Sequence, residues 1–171
     1  MTKIAVFGSA FNPPSLGHKS VIESLTHFDK ILLLPSIAHA WGKQMLDYEI
    51  RCQLVNEFIQ DLGLQQLELS TVEEDLFQPG ESVTTFAVLT EIQRNNPNAD
   101  ITFVVGPDNL FKFGQFFQAE QILHNWSVIA CPEKVNIRST DIRTAIKQGK
   151  SIFNMTTPRV AQYIQRHKLF S

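Results

Sequence analysis

Short apolar runs alternate along the chain with longer stretches in which apolar residues recur at helical spacing. The short runs are KIAVF at 3–7, KILLLP at 30–35, LELS at 67–70, ITFVVG at 101–106 and WSVIAC at 126–131. The longer stretches predict helices near 17–28, 47–62 and 83–95. Strands that alternate with helices are typical of βαβ units, so the pattern predicts a parallel sheet.

Two of the predicted strands, at 31–34 and 101–105, are apolar at consecutive positions, which indicates that helices cover both of their faces. Two more helices are predicted near the end of the chain, DIRTAIKQG with Gly149 as C-cap and PRVAQYIQRHKLF with Pro158 in its first turn. We therefore expect an α/β fold, a doubly wound Rossmann-like parallel sheet with C-terminal helices, in one domain over residues 1–171. Ligands bind such sheets beyond the carboxyl ends of the strands.

Composition narrows the classes of function. The 171 residues are 43% apolar and 19% charged, which is ordinary for a globular protein. The net charge of −2 and the dispersed Lys and Arg residues predict no nucleic-acid partner, so a phosphate site must be local. Cys52 and Cys131 make neither a disulfide framework nor a metal-ligand cluster. Without a secretory leader or an apolar run of roughly 18 residues, we expect a cytoplasmic protein with no membrane partner.

The loop after the first predicted strand, GSAFNPPSLGHKS at 8–20, carries the first candidate chemistry. Gly8 permits close backbone approach, and Pro13 and Pro14 stiffen the loop. A helix follows, and a helix N-terminus directs free amides and the positive end of its dipole at one point. The loop therefore predicts a phosphate site, with His18 in the first turn of the helix.

Polar residues also follow the other predicted strands. They include His39, Trp41 and Lys43 within 35–46, Asp108 within 106–117, and Ser139, Thr140 and Arg143 after 132. Four of them have a simpler explanation, in which His39 is a surface residue, Asp108 forms an Asx-turn or helix cap, and Ser139 and Thr140 are N-caps.

Several of these passages resemble the motifs of one enzyme superfamily, the nucleotidyltransferases. GSAFNPPSLGH resembles G-x-F-[DN]-P-x-[HT]-x-G-H, and IRSTDIR at 137–143 resembles I-S-[ST]-T-x-[IV]-R. VVGPDNLFKFGQFF at 104–117 and PRVAQYIQRHKLF at 158–170 are similar to passages of the nicotinate and nicotinamide mononucleotide adenylyltransferases. The resemblance spans the chain and implies the nucleotidyltransferase fold and adenylyl transfer from ATP to a pyridine mononucleotide, a step of NAD biosynthesis.

The resemblance also implies roles for individual residues. The expected catalytic residues are His18, which donates to the α- or β-phosphate, and Lys43 and Arg143, which compensate the charge of the β- and γ-phosphates. The expected ATP-binding residues are Gly8, Ser9, Ala10, Phe11, Ser15, His18, Gly106, Asp108, Ser139, Thr140 and Arg143. The expected mononucleotide-binding residues are Asn12, His39, Lys43, Ser82, Thr84, Thr85, Asp108 and Phe116. Mg²⁺ is expected with the triphosphate, and no residue is assigned as a metal ligand.

The preference for the acceptor base is predicted from the start of the helix near Thr84 and Thr85. Its amides suit the carboxylate of nicotinate, and no acidic residue within 82–89 or 106–117 is placed to repel that group. We expect both mononucleotides to be accepted, with nicotinate preferred about tenfold, or about 1.4 kcal/mol.

The sequence departs from the family pattern at five places, one of which is Pro132 and Glu133, where an Arg often follows the strand. Ser15 stands where the motif has His or Thr, AHAWGK at 38–43 separates a His from a Lys, Phe116 replaces a Trp, and Arg138 replaces a small residue. Two alternatives stay open, another adenylyltransferase of the superfamily, such as the phosphopantetheine enzyme, and a non-catalytic module that senses nucleotides. A dehydrogenase is disfavoured because G-x-G-x-x-G is missing. A homo-oligomer is left open.

Overall fold

A computed structural model describes residues 1–38 and 45–171 and contains a five-stranded parallel sheet. Its strands are β1 (Lys3–Ser9), β2 (Lys30–Pro35), β3 (Leu67–Leu69), β4 (Asp100–Val105) and β5 (Ser127–Ala130). Their order is β3-β2-β1-β4-β5. Val6 of the central strand lies opposite Leu32 on one side and Phe103 on the other. The predicted parallel α/β sheet is confirmed, while the single domain over residues 1–171 stays a prediction.

The described helices include those expected from the apolar spacing and three shorter ones. They are α1 (Leu16–Glu23), α2 (Tyr48–Leu62), α3 (Val72–Leu76), α4 (Thr85–Asn95), α5 (Pro107–Phe111), α6 (Ala119–Asn125), α7 (Ser139–Lys147) and α8 (Pro158–Arg166), with a 3-10 turn at Phe113–Gln115. The sequence did not predict α3, α5 and α6, because five to seven residues are too few to display a helical period.

The first helix is shorter than the predicted 17–28. It ends at Glu23, and residues 24–29 form turns in which Leu25 and Phe28 remain buried. The apolar spacing of Leu25 and Phe28 therefore reflects their contact with the core and does not mean that the helix continues.

Two hydrophobic clusters cover the two faces of the sheet. Phe7 and Leu33 face the layer of α1, α2, α7 and α8, whereas Val6 and Leu34 face α3, α4 and α6. Successive residues of β1 and β2 thus enter opposite clusters, which explains why these strands are apolar at consecutive positions, 4–7 and 31–34. Among the helices of the described residues, none is both long and apolar enough to cross a membrane.

The strand order places a crevice beside β1. After β1 the chain moves outward through β2 and β3, and it returns to form β4 on the other side of β1. The connections therefore leave β1 and β4 in opposite directions, which opens the sheet at their carboxyl ends, after Ser9 and Val105. The loops that carry the candidate residues begin there.

Candidate active site

A cleft of about 510 Å³ lies at the carboxyl ends of β1 and β4. Most of the residues that the sequence assigned to ATP line it, namely Gly8, Ser9, Ser15, His18, Gly106, Asp108, Ser139 and Thr140. They come from three loops that are far apart in sequence. The fold therefore brings the two signature passages together at one site.

His18 is buried in the first turn of α1 and lines the cleft. The Ser15 amide donates to His18 Nδ1 at 3.0 Å, and the Ser15 hydroxyl accepts from the His18 amide at 3.3 Å. Because Nδ1 accepts a hydrogen bond, we assign the ring proton to Nε2, which lies 3.0 Å from the Ser9 hydroxyl. His18 thus presents an N–H donor towards Ser9, a second residue of the cleft.

The environment of His18 keeps its ring neutral. Burial lowers the pKa of His18 to about 4, since the imidazolium is poorly solvated there. The ring of Phe11 is tilted against the imidazole, with centroids 4.7 Å apart, and Phe7 lies beyond it. His18 is therefore a neutral hydrogen-bond donor at neutral pH, held in place by two aromatic rings.

The amides that begin α1 are not free to bind a phosphate. Leu16 N–H donates to the Met155 carbonyl at 3.0 Å, and Gly17 N–H donates to the Ile137 carbonyl at 3.2 Å. With the His18 amide bonded to Ser15, the first turn of α1 is engaged within the protein. The expectation of free amides at this helix is wrong, because neighbouring loops supply carbonyl partners that local sequence does not show.

The start of α7 faces the same cleft. Asp141 caps this helix, since its Oδ2 accepts from the Arg138 amide at 2.9 Å. The hydroxyls of Ser139 and Thr140 are bonded elsewhere, so the simple N-cap explanation for them is wrong. Arg138 lines the cleft, and its Nε lies 3.9 Å from the Glu133 carboxylate. An arginine and a helix N-terminus therefore meet at one wall of the cleft.

Hydrogen bonds join α7 to the first loop. Ser139 Oγ donates to the Pro13 carbonyl at 2.6 Å, and Arg143 Nη1 donates to the Asn12 carbonyl at 2.7 Å. Arg143 Nη2 also donates to Thr140 Oγ1 at 3.2 Å. Arg143 thus stands beside the cleft, next to Thr140 of its wall.

A buried arginine that the sequence analysis missed holds the loops behind the cleft. Arg51 of α2 is 1% exposed and donates to the carbonyls of Leu46, Ala10 and Ser36 at 2.7–2.9 Å. Burial lowers the pKa of Arg51. The sequence did contain an indication that Arg51 is buried, because position 51 lies on the apolar face of α2 together with Leu54, Val55 and Phe58.

Two residues expected at the ATP site lie behind the cleft. Ala10 offers its carbonyl to Arg51, and the side chain of Phe11 is fully buried. Phe11 has a φ of 49°, in the left-handed region that non-glycine residues rarely adopt. Asn12, expected to bind the mononucleotide, is buried, and its Oδ1 accepts from the Leu46 amide at 3.2 Å. These three residues shape the loop from within.

A second cavity of about 170 Å³ adjoins the cleft, since Gly8 and Asn109 line both. It contains the residues expected at the pyridine ring, Thr84, Thr85 and Phe116. Thr84 caps α4, accepting from the Ala87 amide at 3.1 Å. Phe116 stacks on Phe113 with centroids 4.9 Å apart. Ser82 is exposed just before this cap.

An acidic side chain, that of Glu73 in α3, also lines the second cavity. Its Oε1 accepts from the Ile37 amide at 3.3 Å, and burial raises the pKa of Glu73 to about 7. The expectation that no acid adjoins this site considered only 82–89 and 106–117. It missed Glu73 because α3 was not predicted.

The remaining candidates are at the rim or outside the described residues. Gly106 precedes α5, and Asp108 is exposed in the first turn of that helix at the edge of the cleft. His39 and Lys43 lie outside the described residues.

The sheet order, the cleft at its switch point and the donors that line it define a nucleotide-binding α/β protein of the nucleotidyltransferase kind. The chain belongs to the cytidylyltransferase-like family, whose model matches residues 6–145. The resemblance seen in the sequence is thereby confirmed.

Relatives and solved structures agree with this family. A "Putative Nicotinate-nucleotide Adenylyltransferase from Vibrio parahaemolyticus" has a solved structure that is 59% identical, with a TM-score of 0.88, over 96% of this chain and 99% of that one. A "Probable nicotinate-nucleotide adenylyltransferase" of Caldicellulosiruptor bescii is 26% identical over 98% of each chain. The fold is shared with a Plasmodium falciparum nicotinic acid mononucleotide adenylyltransferase complexed with NaAD, at 16% identity and a TM-score of 0.78 over 99% of this chain and 98% of that one.

Proposed function

We propose that the protein transfers the adenylyl group of ATP to nicotinate or nicotinamide mononucleotide, forming the dinucleotide and pyrophosphate. The observation that carries the proposal is the pair of adjoining cavities, which share Gly8 and Asn109. One has the size and polar lining for a nucleotide, and the other offers an aromatic wall for a small ring. The names of the relatives support a pyridine mononucleotide as acceptor.

The reaction itself requires positioning more than it requires a protein nucleophile. A phosphate oxygen of the mononucleotide attacks the α-phosphorus of ATP, and the bond from that phosphorus to the β-bridging oxygen breaks. Charge grows on the departing pyrophosphate. Holding two anions in line and compensating that charge supply most of such catalysis.

His18 is proposed as the central donor to the phosphates. Its Nε2–H lies 3.0 Å from the Ser9 hydroxyl, and a phosphate oxygen in the cleft would take the place of that partner. A neutral imidazole can donate this hydrogen bond without the cost of burying a positive charge in addition to the charge of the phosphate. Charge compensation is assigned to Arg143, Arg138 and the N-terminus of α7, and Lys43 stays a prediction.

A divalent metal accompanies ATP in nucleotidyltransferases of this kind, and we propose Mg²⁺ bound to the triphosphate. Over residues 1–38 and 45–171, no three His, Cys, Asp or Glu side chains are grouped to hold a metal ion. We propose that the ion is bound by the substrate ATP and that the arginines of the cleft share with it the compensation of the triphosphate charge.

The acceptor is proposed to place its pyridine ring in the second cavity. Phe116 lines this cavity and is held from behind by its stacking on the buried Phe113, so it offers an aromatic surface to the ring. Thr84 and Thr85 bring the start of α4 to the same space, where amide donors suit the carboxylate of nicotinate. Asp108, at the rim of the cleft, is assigned to the nucleotide sugars.

The test is to incubate the protein with ATP, Mg²⁺ and a panel of acceptors, and to measure pyrophosphate and the adenylylated product. The panel contains nicotinate mononucleotide, nicotinamide mononucleotide and phosphopantetheine. We expect product from the pyridine mononucleotides, and unchanged rates in the control variant His124→Ala, whose side chain is exposed on α6. Product from phosphopantetheine alone would reassign the acceptor, and no product with any acceptor would favour a nucleotide-sensing module.

A further inference from the structure

Glu73 brings a carboxyl group into the cavity assigned to the acceptor ring. It lines this space together with Thr84, Thr85 and Phe116, whereas its neighbour Glu74 is exposed on the same helix. The proposed adenylyl transfer does not require this group, because the reacting phosphates are assigned to the adjoining cleft. Glu73 is therefore placed to act on the pyridine ring of the acceptor and not on the phosphates.

The carboxyl group of Glu73 is held from the side of β2. The Ile37 amide, just after that strand, donates to Glu73 Oε1 at 3.3 Å. Helix α3 packs against α4 and β2, so Glu73 reaches the cavity from a supported element. Its side chain is therefore fixed in position towards the same space as the start of α4.

The charged and titratable groups around Glu73 are few among the described residues. From α2, Arg51 and Tyr48 face its carboxyl group. Arg51 directs its hydrogen bonds to three backbone carbonyls. The charged residues of the other packed elements form their own pairs, Glu91 with Arg94 on α4 and Lys30 of β2 with Glu68. Among the described residues that line the ring cavity, Glu73 is the one with a charged side chain.

The two acceptors differ only in the group that would meet this carboxyl. Nicotinate carries a carboxylate, and nicotinamide carries a neutral amide whose NH₂ is a donor. We propose that Glu73 determines which mononucleotide is preferred, favouring nicotinamide when it is ionised and nicotinate when it is protonated. This rests on the proposed function. An ionised Glu73 accepts from the NH₂ and repels a carboxylate, and a protonated one donates to the carboxylate.

The environment of Glu73 makes both forms available near neutral pH. Burial raises the pKa of Glu73 to about 7, against the opposing effects of the Ile37 amide and Arg51. The preference for nicotinate is therefore expected to fall as the pH rises through this range. The second ionisation of the mononucleotide phosphate, with a pKa of about 6, is shared by both acceptors and cancels in the ratio of their rates.

The experiment measures kcat/KM for both mononucleotides between about pH 6 and about pH 8.5, on either side of that pKa. The wild-type ratio of nicotinate to nicotinamide is expected to fall about tenfold over this range, as repulsion between neighbouring carboxylates develops. In Glu73→Gln the ratio should be independent of pH, and about tenfold above the wild type at the alkaline end. Glu74→Gln, the matched control, should follow the wild type.

Three results would overturn the proposal: a wild-type ratio that does not change with pH, a trend that persists in Glu73→Gln, or a control variant that loses the trend. If Glu73→Gln does not fold, Glu73→Ala removes the carboxyl without adding an amide and should flatten the ratio in the same way. Turnover of neither mononucleotide would refute the proposed function itself, which is distinct from turnover of both at a fixed ratio.

Discussion

The two ring nitrogens of His18 have different partners, and this difference determines what the residue can do. Nδ1 accepts from the Ser15 amide, so the single proton of the neutral ring lies on Nε2, beside Ser9. An anion in the cleft would meet an N–H donor and no lone pair. The same Nδ1 contact makes His18 a part of the helix cap, so its proposed catalytic role and its structural role depend on different nitrogens.

Replacing His18 by alanine is therefore expected to affect both turnover and stability. Turnover should fall by roughly 10²–10⁴-fold, the usual contribution of a positioned catalytic side chain. The fold should persist but lose about 1–3 kcal/mol, because the Ser15 amide is left buried without an acceptor. Steady-state kinetics and chemical unfolding measure the two effects.

His18→Asn separates the effect on turnover from the effect on stability. An asparagine oxygen can accept from the Ser15 amide, while no donor reaches the position of Nε2. We expect the stability of this variant to lie near the wild type and its turnover near that of the alanine variant. A folded alanine variant with an unchanged rate would remove His18 from the mechanism.

Arg143 is expected to act on ATP more than on the acceptor. It lies beside Thr140 at the wall of the larger cleft, and it donates to the Asn12 carbonyl. Arg143→Ala should therefore raise the KM for ATP well above any change in the KM for the mononucleotide. Arg143→Lys, which keeps the charge without the planar fork, should recover part of the loss. Equal losses for both substrates would place Arg143 elsewhere in the mechanism.

At the scale of elements, the sequence predicted the strands, the long helices and the loops that carry a motif. The strands and the long helices were found from their periods, and the signature passages placed His18 and Ser139 at one site before any contact was known. Glu73 was missed because its helix has five residues. Arg51 was missed because an arginine in an amphipathic helix is normally exposed, and its partners are carbonyls of distant loops.

Helix α1 begins against the segment before α7 so closely that its second residue must be glycine. A Cβ at Gly17 would lie 2.5 Å from the Ile137 carbonyl oxygen, a backbone atom that cannot move alone. The Gly17 amide already donates to that oxygen. The glycine of the first signature is thus required by contact between the two signature passages.

Gly17→Ala is expected to destabilise the protein by about 1–3 kcal/mol, the usual cost of overpacking, although alanine is the better helix former by up to about 1 kcal/mol. Because the shift also displaces His18, turnover should fall as well. Differential scanning calorimetry and kinetics provide the measurements. The matched control is Gly114→Ala, since no atom lies within 4 Å of the added Cβ. Equal stability of the two variants would contradict the close contact.

At the scale of the molecule, the order of the strands explains why two ligands would meet where they do. Gly8, at the end of the central strand, lines both cavities, so the strand that separates the two halves of the sheet also joins the two sites. A side chain at this position would project towards Leu34, whose atoms lie 3.7 Å from a Cβ built there. The alternation of strands and helices predicted this edge of the sheet. The division of the edge into two cavities depends on side chains from α3, α4 and the 113–116 turn. The sequence motifs indicated Thr84, Thr85 and Phe116, but no local pattern revealed Glu73.

The stability of the whole molecule is expected to carry two opposite dependences on pH. The pKa of His18 is lowered from 6.5 to about 4, so the unfolded chain takes up a proton first as the pH falls. This contribution is complete above pH 6.5 and is lost towards pH 4, by about 3 kcal/mol in all. The pKa of Glu73 is raised from 4.5 to about 7, so its contribution is complete below pH 4.5 and is lost as the pH rises towards 7.

The two slopes overlap between about pH 4.5 and about pH 6.5 and partly cancel in the wild type. His18→Asn removes the contribution of His18, which grows as the pH rises. This variant should therefore lose stability relative to the wild type as the pH rises through that window. Glu73→Gln removes the contribution of Glu73, which is lost as the pH rises. This variant should therefore gain stability relative to the wild type over the same rise in pH. Urea unfolding of the three proteins at several pH values measures both differences, and subtracting the wild-type curve removes the contribution of every other titrating group. Differences that do not change with pH would show that burial does not shift the pKa values of His18 and Glu73, and His18 would then be a neutral donor only above its ordinary pKa of about 6.5.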